Sequence, residues 1–257
     1  MRYHVIFAAL VGLLLFSLVP RALCAPAVAK NDPKAKVLLE QMAAAYQSLR
    51  SFSCTATPKA GVETALTLPH RVLIRFKQPD QISVTALSKT GRPLRIFVLN
   101  GTSLLDYSPG SKEYLEWMIP RGNPAINLGL IQSGLLALTA SDPNSIAPLL
   151  IRLRSDDTAV FAFGAPAKMD GVQARTVIVM VGDGFSRQTT TCVIGAVDHL
   201  LRFLKIVNRT KEKTVVRAEI YTNVQANPDL PASTFAFVPP KGVERILLPH
   251  SPFAPKK

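Results

Sequence analysis

The chain has 257 residues, which is enough for one sizeable domain or two small ones. Its 30 Lys and Arg residues outnumber its 17 Asp and Glu residues, and the formal net charge is +13. A charge of this size favours acidic partners such as anionic lipid headgroups, lipopolysaccharide, acidic proteins or nucleic acid. The alternative is that the charge only keeps an apolar-rich protein soluble.

Residues 1–24 have the three parts of a secretory signal peptide. A short basic start precedes an apolar run from Val5 to Val19 and then a string of small residues. This run is shorter than the roughly 20 residues that a membrane-spanning helix needs. We expect cleavage between residues 24 and 29. Cys24 is a candidate for acylation as the first residue of a mature lipoprotein. Lipoprotein processing requires a small residue before the cysteine, however, and Leu23 is not small. We therefore expect a soluble periplasmic protein, and export argues against nucleic acid as its partner.

The remaining chain begins with an amphipathic helix. Asn31-Asp32-Pro33 provides an N-cap and a proline that is suited to the first helical turn. Apolar residues then recur at spacings of three and four, which places them on one face: Ala35, Leu38, Met42, Ala45 and Leu49. This face must pack against another apolar surface.

From Ser51 the apolar period changes to two, which indicates strands. Alternating segments run through RVLIRFK and QISVTA, and LRIFVLN then leads into Asn100-Gly101, a strong hairpin signal. Tight turns join four successive strands here. They predict an antiparallel meander, because parallel neighbours would need long crossovers.

Residues 120–150 interrupt the strands. A helical stripe of leucine and isoleucine between them is predicted to cover one face of the sheet. Strands resume afterwards, and two segments, LRIFVL and TVIVMV, are apolar on both faces. Such a sheet is covered on both sides, or one of its faces lines an apolar cavity. We predict a single domain over residues 30–246, followed by a flexible tail rich in Pro and Lys at 247–257.

Two cysteines remain after cleavage, Cys54 and Cys192. An oxidising compartment makes a disulfide between them chemically available. Because disulfide geometry is strict, the alternative is two buried thiols on strands that do not meet.

The chain offers little support for catalysis. It has no HExxH, no GxSxG, no glycine-rich phosphate loop and no clustered metal ligands. Asp198-His199 lies at a predicted hairpin turn, where an aspartate usually serves the turn itself. A hydrolase that uses these two residues is therefore the weakest hypothesis. We predict a protein that is not an enzyme and needs no metal or cofactor.

Several motifs occur in a familiar order. After the amphipathic helix, one strand ends in Lys77-Gln78-Pro79, and a hairpin then follows the pattern NG-x-x-L-x-x-Y-x-P from Asn100 to Pro109. A closing segment, Leu230–Ile246, contains F-x-F-x-P-P-x-G. Together these motifs resemble the outer-membrane lipoprotein carrier (LolA-like) superfamily over about residues 34–246. Gln78 stands where the carriers often have arginine, and the chain is longer than the compact carriers, so the resemblance points to a paralogous branch.

The resemblance implies a mainly β protein with helices, in which an incomplete antiparallel barrel wraps around an apolar cavity under a helical lid. It implies a monomeric periplasmic carrier that binds acyl chains of lipoproteins or lipids. Such a carrier would hand them on toward the outer membrane through inner- or outer-membrane transfer proteins. The alternative is a sensor or binding module that recognises an envelope protein through the same half-barrel.

The candidate cavity residues come from one face of neighbouring strands and from the predicted lid. They are Ile74, Phe76, Val84, Ile96, Val98, Trp117, Leu128, Ile131 and Leu135. Ordinary core packing explains any single one of them equally well. Arg75, Lys77 and Arg95 are candidates for contact with lipid phosphates or an acidic transfer partner, and solvated strand faces are the alternative explanation.

Overall fold

The computed structural model describes residues 31–59, 69–118, 159–182 and 186–248. Within these ranges one α-helix, α1 (Pro33–Ser48), precedes the strands of a single sheet. The first six strands are β1 (Ser51–Pro58), β2 (Arg71–Lys77), β3 (Gln81–Leu87), β4 (Pro93–Asn100), β5 (Ser103–Tyr107) and β6 (Glu113–Met118). The next six are β7 (Val160–Phe163), β8 (Ala167–Met169), β9 (Val172–Gly182), β10 (Arg187–Gly195), β11 (Leu201–Arg209) and β12 (Thr214–Ala226). A short 3-10 turn at Ala232–Phe235 precedes β13 (Glu244–Leu248).

The sheet is open. Its strands follow the order β13-β6-β5-β4-β3-β2-β1-β12-β11-β10-β9-β7, and β8 also pairs with β9. Every neighbouring pair is antiparallel except β6 and β13, which are parallel. Because β13 and β7 lie at opposite ends of this order, the described strands do not close into a barrel. The predicted mainly β fold, an incomplete antiparallel barrel, is confirmed, and β2 to β6 form the predicted meander with five strands instead of four.

Helix α1 begins where its cap residues predict. Asp32 Oδ1 accepts a hydrogen bond of 2.9 Å from the Lys34 backbone N–H, and Pro33 occupies the first turn. The Asp32 N–H donates to the Phe161 carbonyl over 2.7 Å, which ties the start of the helix to β7. The apolar helix face packs on the sheet and buries Ala35, Leu38, Leu39, Met42, Ala43 and Tyr46.

The sheet has two apolar faces of unequal size. We call the face that carries α1 the inner face and the opposite one the outer face. Side chains alternate along a strand, and directly opposed residues of neighbouring strands share a face. The inner face and α1 together form the main core. A smaller outer cluster contains Val98, Leu105, Tyr107 and Tyr114, with Phe237 of the C-terminal segment packed against it.

The β4–β5 turn shows why the chain reverses at Asn100-Gly101. Asn100 Oδ1 accepts hydrogen bonds from the backbone N–H groups of Thr102 (3.2 Å) and Ser103 (2.9 Å). Gly101 has φ +88°, and an added Cβ there would lie 2.8 Å from a carboxylate oxygen of Asp80. Only glycine fits both the backbone conformation and the space at this position. The hairpin predicted from this dipeptide is confirmed.

Some predictions concern residues outside the described ranges. These are the signal peptide at 1–24, the lid residues Leu128, Ile131 and Leu135, and residues 249–257 of the predicted tail. The first two residues of that tail, Leu247 and Leu248, instead end β13, where they pair with β6. In the part of the chain that the structure describes, no helix is both long and apolar enough to cross a membrane.

Candidate functional site

The inner face carries a continuous row of apolar side chains across seven neighbouring strands. The row follows direct cross-strand pairs in the order Phe52, Phe76, Ile82, Leu99, Leu104, Trp117 and Leu248. At about 4.8 Å between neighbouring strands, it extends about 29 Å along the sheet. All seven side chains belong to the main core or pack against it.

A second inner row lies one pleat away. It runs through Cys54, Ile74, Val84 and Phe97, and then reaches the polar residue Asp106. The structure therefore brings together four of the predicted cavity residues, Ile74, Phe76, Val84 and Trp117, on one face of β2, β3 and β6. Three of them are fully buried core residues, and Phe76 is partly buried beside them.

Two predicted cavity residues, Ile96 and Val98, lie on the outer face instead. Val98 is directly opposed to Ser83 and Leu105, and it packs with Ile96 in the outer cluster. Their expected position in the cavity is thus corrected. Segment LRIFVL is apolar on both faces because the C-terminal segment covers its outer side, so alternation alone does not show which set faces inward.

The inner-face residues of β4 and β5 were missing from the predicted set. Phe97 and Leu99 face inward from β4, and Leu104 faces inward from β5, all three buried. Val84 lies directly across from Phe97, but the register shifts between Ala86 and Leu87. Counting residues from the Leu87–Pro93 pair next to the turn would place Ile96 opposite Val84, so the turn alone does not identify the inner face of β4.

Arg95 and Asp106 form an ion pair on the inner face, at the end of the sheet away from the Asn100-Gly101 turn. Arg95 Nε and Nη2 donate to Asp106 Oδ1 and Oδ2 over 2.9 and 2.6 Å. The guanidinium carbon also lies 4.5 Å from the centre of the Phe97 ring, within cation–π range. Hydrogen bonding to Asp106 raises the pKa of Arg95 above its ordinary value.

This pair is unequally exposed. The Asp106 side chain is 8% exposed, whereas the Arg95 side chain is 38% exposed. The guanidinium therefore keeps one side toward solvent while the carboxylate fixes its plane. Of the three predicted headgroup residues, Arg95 is the one on the inner face.

Arg75 and Lys77 lie on the outer face of β2. Ser83, the cross-strand partner of Arg75 in β3, is also opposed to the outer residue Val98. Lys77 lies two residues after Arg75 in the same strand and therefore shares its face. Lys77 Nζ donates to the Leu230 carbonyl over 3.0 Å, which anchors the C-terminal segment on that side. The structure thus separates these two cations from Arg95.

Polar side chains are buried where α1 meets the sheet. The Leu201 N–H donates to Tyr46 Oη over 3.2 Å, and Tyr221 Oη donates to Glu219 Oε2 over 2.7 Å. Burial raises the pKa of Tyr46 and of Tyr221 well above the ordinary tyrosine range, and Glu219 reinforces the shift at Tyr221. Both phenols therefore stay neutral and act as fixed hydrogen-bonding groups within the core.

Cys54 and Cys192 are free, buried thiols, so the disulfide is not formed in this structure. They lie on β1 and β10, with β12 and β11 between them. Three strand spacings amount to about 14 Å, whereas a disulfide needs Cα atoms within about 7 Å. Burial raises the pKa of Cys54 well above its ordinary value and that of Cys192 to about 12, so both stay protonated. The structure therefore matches the alternative interpretation, in which the two thiols lie on strands that do not meet.

Asp198 and His199 serve the β10–β11 turn. Asp198 Oδ1 accepts a 3.0 Å hydrogen bond from the Leu200 N–H, and its Oδ2 pairs with the buried guanidinium of Arg202. His199 has φ +54°, as the turn requires. Among the described residues no group of three or more His, Cys, Asp or Glu side chains is placed to hold a metal ion.

No protein-family model matches the sequence, and no curated protein matches it. Solved structures do show likeness. The Mycobacterium tuberculosis lipoprotein LppX aligns with 78% of this chain and 99% of its own, at 11% identity and a TM-score of 0.48. LprF from Mycobacterium bovis aligns with 79% of this chain and 98% of its own, at 15% identity and a TM-score of 0.47. A LolA superfamily protein from Nitrosomonas europaea aligns with 79% and 97%, at 10% identity and a TM-score of 0.37.

Proposed function

We propose that this chain is a periplasmic binding protein that shelters acyl chains of lipoproteins or lipids against its inner face. The observation that carries the proposal is the apolar row from Phe52 to Leu248, which crosses seven strands without a polar interruption. Burial of acyl methylenes against such a surface is favourable by about 0.8 kcal/mol per CH₂ group.

Helix α1 occupies only part of the inner face. Its start is tied to β7 at Phe161, and near its end Tyr46 packs edge-on against Phe52 at 5.5 Å between ring centres. The half formed by β2 to β6 is the half that we assign to the acyl chain. Leu128, Ile131 and Leu135 would form the opposing wall. Non-covalent binding of an acyl chain needs no reactive side chain of the protein, so we propose a carrier and not an enzyme.

The first experiment is mass spectrometry of organic extracts from the mature protein, purified from periplasm without detergent. Stoichiometric phospholipid or lipoprotein acyl chains would support the proposal and name the cargo class. A folded protein that carries no lipid and binds no dansyl-labelled fatty acid would overturn it. A binding module for another envelope protein would then become the better hypothesis.

Substitutions at two adjacent residues of β3 test whether the inner or the outer face of the sheet binds the acyl chain. Ala86 is a small, partly exposed inner-face residue between Val72 and Arg95, whereas its neighbour Thr85 points outward, opposite Ile96. We expect Ala86→Trp to weaken fatty-acid binding about tenfold, because displacing two acyl methylenes costs about 1.6 kcal/mol. Thr85→Trp adds the same side chain to the outer face and should leave binding unchanged. Equal effects of the two variants would contradict the assignment of the inner face.

A further inference from the structure

One end of the sheet carries a row of exposed basic side chains. Because neighbouring strands run in opposite directions, every second connection lies at the same end. The end of β1, the start of β2 and the β3–β4 and β5–β6 turns are therefore side by side. These positions hold Lys59, Arg71, Lys89, Arg92 and Lys112, all of them exposed, which we call the basic rim.

The basic rim carries a net positive charge. None of its five side chains is ion-paired with another residue of the described ranges. Arg209 and Lys213, around the β11–β12 turn, extend the positive charge across the second half of the sheet. Three acidic residues at this end offset only part of the charge: Glu113 and Glu244 begin β6 and β13, and Glu212 lies in the β11–β12 turn.

The opposite end of the sheet is more nearly balanced in charge. Its turns carry Asp80 between β2 and β3, Asp170 between β8 and β9, and Asp198 between β10 and β11, and its cations include Arg50 before β1, Lys77 at the end of β2 and Lys168 in β8. The excess of positive charge is thus concentrated at the basic rim. This distribution differs from a uniformly basic surface, which would only serve solubility.

Exposed apolar side chains accompany the basic rim. Leu94, the second residue of β4, lies two residues after Arg92 and is 42% exposed. Val238 is 84% exposed and follows Phe237, whose ring packs on Tyr107 and Tyr114 at the same end of β5 and β6. A surface that combines cations with protruding apolar groups suits a lipid headgroup layer, which offers phosphates and adjoining hydrocarbon.

The basic rim borders the inner face. Arg95, in β4, lies three residues after the rim residue Arg92 of the β3–β4 turn, and its side chain is 38% exposed on the inner face beside the buried Asp106. From this end, the inner surface passes from Arg95 to Phe97 and then to Leu99 along β4. Charge at the edge thus gives way to apolar surface within a few residues.

We propose that the basic rim docks this protein on anionic phospholipid membranes, with that end of the inner face toward the bilayer. The orientation rests on the proposed function, because it would let an acyl chain pass from the bilayer to the inner face. The cations extend over the ends of six neighbouring strands instead of converging on one pocket. An extended charged plane matches that arrangement better than a compact acidic protein patch.

The test is flotation of the purified mature protein with vesicles of phosphatidylglycerol and phosphatidylcholine, and with vesicles of phosphatidylcholine alone. The rim variant is Lys89→Gln, Arg92→Gln and Lys112→Gln combined. The matched control, Lys34→Gln, Lys168→Gln and Lys205→Gln, removes the same charge from exposed sites elsewhere. Each basic residue at an anionic surface contributes about a factor of five, so the rim variant should bind about a hundredfold more weakly. The control should bind as the unmodified protein does, and 0.5 M salt should abolish binding.

Three results of the vesicle assay would overturn the proposal. These are equal binding to both vesicle types, retained binding by the rim variant, and an equal loss in the control, which would show that net charge alone matters. Binding of polyglutamate through the rim without any vesicle binding would also overturn it, in favour of an acidic protein partner. Binding of dansyl-labelled fatty acid should be unchanged in the rim variant, so failure of docking is distinguishable from failure of acyl binding.

Discussion

Removal of either partner from the Arg95–Asp106 pair should destabilise the protein by different amounts. In Arg95→Ala, the Asp106 carboxylate, which is 8% exposed in the native structure, loses two hydrogen bonds and its counter-charge. An uncompensated buried charge of this kind costs about 3 kcal/mol. In Asp106→Ala, the Arg95 side chain, already 38% exposed, is free to turn its guanidinium into water. The loss should then be about 1 kcal/mol, as for a charge that regains its hydration.

The assay is urea unfolding of the wild type, both single variants and the double variant Arg95→Ala/Asp106→Ala. The double variant should be more stable than Arg95→Ala alone, because it no longer buries an unpaired carboxylate. Arg75→Ala, on the outer face, serves as a control and should cost about 0.5 kcal/mol or less. A larger loss in Asp106→Ala than in Arg95→Ala, or strictly additive losses, would refute the reasoning.

Three further predictions concern the helix cap, the outer cluster and the thiols. Asp32→Ala should lower the free energy of unfolding by about 1 kcal/mol in a urea titration, because the Lys34 N–H loses its acceptor. Phe237→Ala should cost about 2 kcal/mol through lost packing of a partly buried ring, yet leave fatty-acid binding unchanged because the ring lies on the outer face. Cys192 should resist a thiol reagent until the protein unfolds, because burial raises its pKa to about 12. Since the folded thiol keeps its proton while the unfolded one ionises near 9.0, its contribution to stability is complete below pH 9 and is lost as pH rises toward 12. Cys192→Val should remove that part of the alkaline loss of stability, and an unchanged pH profile in this variant would contradict the assignment.

Local sequence determined the elements of this protein. Asp32 and Pro33 place the start of α1, because a capping side chain and a proline satisfy the first helical turn without help from distant residues. Asn100-Gly101 determines the β4–β5 hairpin in the same way, through a side-chain acceptor and a positive φ angle. Alternation also placed Ile74 and Val84, two of the predicted cavity residues, on one shared face, since only one face of β2 and β3 is strongly apolar, and both are buried there.

Only the tertiary structure decided which face of β4 is which. The strand contains an unbroken apolar run, Ile96-Phe97-Val98-Leu99. An alternating pattern therefore allows either Ile96 and Val98 or Phe97 and Leu99 to face inward. The choice depends on cross-strand register and on Phe237, which lies about 140 residues farther along the chain and covers the outer side. The pairing of Arg95 with Asp106, the separation of Cys54 from Cys192 and the collection of five cations at one end of the sheet have the same origin. Each depends on strand order and direction, which are long-range properties that no local segment encodes.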